Sequence, residues 1–168
     1  MAFTYSKLAE VTLASSAATI NFTNIPQNYT DLKIVSSART DRASVVDDIA
    51  ISFNGSTASF TGRELYSDGA SAVSITTARA ASIAAGANAT ASTFGNSEIY
   101  IPNYTGSTNK SFSVDGVQET NATTAYAAFI AGLWSNTTAI TSASLSPLTG
   151  PNFVQYSTAT LYGVKAEV

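Results

Sequence analysis

Residues 20–39, INFTNIPQNYTDLKIVSSAR, constrain the fold more than any other stretch, because they write a strand, a proline-fixed corner and a second strand in immediate succession. Ile20 and Phe22 alternate with polar neighbours, as a half-buried strand requires, and Leu32 and Ile34 do the same beyond the corner. Pro26 has no amide hydrogen and a fixed φ, so Ile25 before it is extended and the ladder stops there. Tyr29 is placed to lay its ring over the corner, and Asp31 to accept hydrogen bonds from nearby backbone amides. Pro26, Tyr29 and Asp31 are therefore expected to be architectural.

The same period of two continues along the chain. Alternation predicts strands over 7–13, 19–23, 31–38, 48–53, 60–66, 73–78, 98–104, 110–118, 125–133, 140–145 and 158–164, with Asn54-Gly55 as a strong turn signal. Ser, Thr and Asn are abundant throughout, with Val, Ile, Tyr and Phe between them, which suits sheet surfaces better than helices. Short strands at a spacing near ten residues predict an all-β fold, and we expect one antiparallel, jelly-roll-like β-sandwich domain over residues 1–168. Residues 78–92, ARAASIAAGANATAS, resist this reading; alanine favours either a short helix ending at Gly86 or a loop across the end of the sandwich. The PLTGP segment, 147–151, is too short for a linker and reads as a stiff protruding loop.

Composition narrows the chemistry. A chain of 168 residues suffices to bury roughly two-thirds of its unfolded surface. It has no cysteine and no histidine, which removes disulfides, the serine-histidine triad and every Cys or His metal site. Charged residues are 11% of the chain with a net charge of −3, and the eight Lys and Arg are scattered, so no basic face awaits a nucleic acid. No apolar run reaches membrane-spanning length and no secretory signal opens the sequence, which predicts synthesis in a cytoplasm without export.

The carboxylates offer little more. Asp41, Asp47 and Asp48 share one loop without the glycine that calcium loops place among their acids, so pairing with Arg39 and Arg42 is the expected role. Glu64 and Glu98 are the acids that come forward for a glycosidase-type pair, but nothing around them in sequence builds a pocket, and the expectation is no enzyme and no cofactor. Asn-x-Ser/Thr triplets at Asn54, Asn103 and Asn136, among others, read as turn chemistry. Tyr66, Tyr100, Tyr104, Tyr126 and Tyr156 suit subunit contact, or alternatively stacking on sugars.

Two stretches carry a family resemblance. FTNIPQNYTDL, followed by Arg39 and by IAISFNGS at 49–56, resembles the opening of a group of tailed-bacteriophage virion proteins, especially those of phages of cyanobacteria and marine bacteria. The closing stretch 133–165 resembles the end of the same group through Trp134, Ile140, Asn152, Phe153, Ser157, Leu161, Tyr162 and Gly163, and Trp134 and Tyr162 are expected to be structural. The resemblance implies a particle component located in the virion. With no fibrous stalk in the sequence, the expectation is a capsid decoration or cement protein that touches the major capsid protein and itself as a homotrimer. The alternative is a tail-associated adhesin recognising host glycan. The expected contact set is Ala2, Phe3, Thr4 and Tyr5 ahead of the first strand, with Pro147, Pro151 and Phe153 in the 147–153 loop.

Overall fold

The structure, a computed structural model, describes residues 3–119 and 124–166. Its elements are strands: β1 (Phe3–Thr12), β2 (Ile20–Phe22), β3 (Asp31–Ala38), β4 (Val46–Phe53), β5 (Phe60–Ser67), β6 (Ala72–Thr77), β7 (Ala80–Ala85), β8 (Gly95–Ile101), β9 (Lys110–Glu119), β10 (Ala125–Trp134), β11 (Ala143–Pro147) and β12 (Thr158–Ala166). Among the described residues there is no helix.

The pairing explains the architecture. β1 pairs with β12, β2 with β11, β3 with β8 and β4 with β7, all antiparallel, so the chain forms a two-armed ribbon with four rungs. Rolling that ribbon brings β12 beside β3 and β11 beside β4, again antiparallel. The result is a jelly roll, whose two sheets are made by neighbours in space that lie far apart in sequence. Two excursions, β5–β6 and β9–β10, then extend one sheet to eight strands in the order β1-β12-β3-β8-β9-β10-β5-β6. The other sheet keeps four, β2-β11-β4-β7. The expected all-β sandwich is what the chain forms.

The core lies between the sheets. Phe22, Ile49, Ile51, Phe53 and Leu145 from the small sheet meet Leu32, Ile34, Ile99, Ile101 and Leu161 from the large one, all essentially inaccessible to water. At one end the rings of Phe53, Phe60, Phe112 and Trp134 form a cluster, with Phe53 5.5 Å from Trp134 and edge-on to Phe112. Trp134, 1% exposed, packs within this cluster against Phe53 and Phe60. Gly132 makes the cluster possible, since a Cβ there would stand 2.1 Å from the Phe112 ring.

Three expectations need correction. Residues 78–92 are neither helix nor simple loop: Ala80–Ala85 is strand β7, buried at all six positions. Alanine serves there because the strand lies against β8 and β9 as well as beside β4, and Gly95 and Gly116 approach it so closely that a Cβ on either would stand 3.0–3.1 Å from its atoms. The N-terminal segment does not precede the first strand, because β1 starts at Phe3 and Thr4 and Tyr5 pair with Lys165 and Val164. Phe153 is not a contact residue of a protruding loop; it is wholly buried, with its backbone bridged to Ala17 and Thr40.

Candidate functional site

The corner after β2 is built from more residues than its own sequence supplies. The Tyr104 hydroxyl donates to the Pro26 carbonyl, and the Gln27 amide donates to the carbonyls of Ile25 and Ile140 at 2.8 and 3.0 Å. Asp31 accepts from the Asn103 amide at 2.8 Å and from the Tyr100 hydroxyl at 2.5 Å, and that hydrogen bond, with burial, pushes the Tyr100 hydroxyl up to about 12. The half-buried Tyr29 ring lies over Gly163 of β12. Pro26, Tyr29 and Asp31 therefore hold the corner together. Tyr104, grouped by sequence with exposed tyrosines, is fully buried and is the corner's main anchor.

At the opposite end, beyond Ala38, polar side chains pin three loops. The buried Arg39 guanidinium donates to the carbonyls of Ala87, Ala89, Thr90 and Thr93 at 2.8–3.1 Å, so it orders the segment after β7 without any carboxylate. The expected Arg39 ion pair is replaced by carbonyls, whereas Arg42 does reach Asp47, at 3.5 Å. Asp47 also accepts from the Gly150 amide at 3.0 Å, and Asp41 accepts from the backbone and side chain of Asn152 at 2.9 and 3.0 Å. These carboxylates are committed to fastening the 147–153 loop, and among the described residues no three ligating groups converge on a metal position.

A second acidic feature lies in the crease between the sheets. Glu64 on β5 is 3% exposed, and among the described residues its Oε2 finds no hydrogen-bond partner. Burial, reinforced by the charge of Asp48, raises its carboxyl to about 7; burial and Asp47 raise Asp48 as well. Tyr66 and Tyr126 stack nearby with ring centroids 5.6 Å apart, and the Tyr126 hydroxyl is pushed up to about 12, first by burial and then by Tyr66 and these acids. Glu98, the other acid singled out by sequence, is elsewhere: it sits on the outer face of the large sheet, 2.6 Å from Lys33. The two do not form a catalytic pair.

That outer face is the broadest exposed feature. Cross-strand register puts Thr160, Val35, Glu98, Asp115, Phe129, Leu65 and Ser74 in one row across seven strands. Phe129 and Leu65, directly opposite one another, are 54% and 49% exposed, and a shallow groove of about 390 Å³ runs between them, Arg63 and Ser113. Toward the far edge, Tyr5 is 53% exposed with the Lys33 ammonium 5.2 Å from its ring centre, and Tyr162 and Val35 complete a second shallow groove.

The residues expected to form one contact set are split. Tyr5 pairs with Val164, which lies opposite Asp31 at the start of β3, while the loop carrying Pro147 and Pro151 is fastened beyond the end of β3. An eight-residue strand, about 25 Å long, separates them. Pro147 closes β11 opposite Ile49, and Pro151 is exposed at the loop tip. The expected roles of Ala2 and of the Phe3 side chain lie outside the described residues. Comparisons of the chain with protein-family models, with curated proteins and with solved structures return no match.

Proposed function

We propose that this domain is a structural component of a tailed-phage particle, working as a decoration or cement protein on the head. The observation that carries the reading is the outer face of the eight-stranded sheet. It combines exposed Phe129, Leu65, Val117, Val35 and Tyr5 with the paired Lys33 and Glu98, and with Asp115 and Arg63. A face of this kind offers apolar side chains for burial against another protein within a polar surround, and the stabilisation is mechanical rather than chemical. The grooves on it are shallow, which suits a flat protein contact better than a small ligand. The jelly roll itself is common to capsid proteins and lectins, so it supports the reading only by analogy.

The test is re-binding. Purified protein is expected to bind bare heads and to raise the temperature at which they release DNA, and Phe129→Asp is expected to abolish both while leaving the fold intact. Labelled protein that stains host cells and ignores bare heads would replace this reading with a glycan-binding adhesin.

A further inference from the structure

A sheet must do something with its edges, since an edge strand presents unpaired N–H and C=O groups to any other chain. Three of the four sheet edges here are protected. β2 is three residues long, β7 is buried at every position, and β1 carries a register shift between Lys7 and Ala9 together with the charged Lys7 and Glu10. β6 has none of these devices. It is six residues, AVSITT, with no charge, proline or glycine, paired among the described residues only with β5, and exposed or half-exposed throughout, with Ile75 40% exposed.

We propose that β6 is an interface strand, and that its occupant is β6 of a second copy of this chain, paired antiparallel about a two-fold axis at Ser74. The register follows from the side chains. Ile75 lies opposite Glu64 and Val73 opposite Tyr66, so both face the crease, whereas Ser74 and Thr76 lie opposite Leu65 and Arg63 on the outer face. A two-fold axis through Ser74 sets each Val73 against the other copy's Ile75 on the first face. On the second it sets Ser74 against Ser74 and Ala72 against Thr76. Apolar meets apolar and hydroxyl or small meets hydroxyl, and no charge is opposed to its like.

Charge beyond the strand selects the same arrangement. Asp68 precedes β6 and Arg79 follows it. Antiparallel self-pairing brings the Asp68 end of one copy to the Arg79 end of the other, with Gly69 opposite Arg79 in this register, while parallel pairing would bring like to like. The pairing is isologous and closed, so it stops at two copies and leaves no β6 edge exposed. It makes the unit a dimer where the sequence reading expects a trimer, and it does not depend on where the protein sits in a particle.

The experiment is light scattering of the full chain at tens of micromolar, combined with amide hydrogen exchange. The expected result is a dimer, in which alternate amides of 72–77 are protected and become exchangeable on dilution to monomer. Ile75→Lys is expected to raise the dissociation constant by about a hundredfold with an unchanged far-ultraviolet circular dichroism spectrum, because each dimer loses two apolar pairs and gains two charges. Asp68→Lys is expected to weaken the dimer, and adding Arg79→Glu to restore it. A wild-type monomer, a trimer, or a dimer indifferent to Ile75→Lys would each overturn the proposal.

Discussion

Gly163 has no side chain because the Tyr29 ring occupies the place of one, a Cβ there falling 2.5 Å from two ring carbons. Gly163→Ala must displace the ring, at a cost of about 1–3 kcal/mol. In a Tyr29→Ala background the same substitution is expected to cost almost nothing, and a double-mutant cycle by denaturant unfolding reads the coupling. Glu64 makes a second prediction at this scale. Its folded-state carboxyl, raised from 4.5 to about 7, holds its proton better than the unfolded chain does. The full contribution is therefore present below about pH 4.5 and is lost as pH rises through 7, by up to about 3 kcal/mol. Melting temperature is expected to fall between pH 5 and 8 in the wild type and to stay nearly flat in Glu64→Gln.

Among elements, β7 and its following turn show what a sequence reveals and what it hides. β3 is readable because one face is wet, so Leu32, Ile34 and Ala38 alternate with Lys33, Val35 and Ser37. β7 is buried on every side, so it has no polar face to alternate with, and its alanines mimic a helix. The site was less legible for a related reason. Asp31 could be assigned to backbone amides from its place after a corner, but Tyr104 reaches Pro26 across 78 residues and Glu64 meets Asp48 only because the sheets close on each other. Arg39 belongs to this scale as well, since it orders an element rather than a partner charge. Arg39→Met would remove the guanidinium that gathers the carbonyls of Ala87, Ala89, Thr90 and Thr93. We expect a loss of about 3 kcal/mol or more, faster amide exchange confined first to 86–94, and no rescue by Arg39→Lys, whose single ammonium cannot span the four acceptors.

For the whole molecule, the ribbon origin of the sandwich has a mechanical consequence. β1 and β12 run antiparallel with Phe3 opposite Ala166 and Thr12 opposite Thr158. Tension applied at Thr4 and Lys165 therefore acts across the ladder and opens it like a zip, one hydrogen bond at a time. Tension at Thr4 and Thr158 acts along the strands and loads the whole ladder in shear, so every bond resists together. The chain has no cysteine, and introduced pairs at these positions would be the only handles. Single-molecule pulling is expected to yield at clearly lower force through 4 and 165 than through 4 and 158. The same ladder is therefore weak against a pull at Thr4 and Lys165 and strong against one along β1 and β12, so the direction of load, and not the number of bonds, decides where this fold opens.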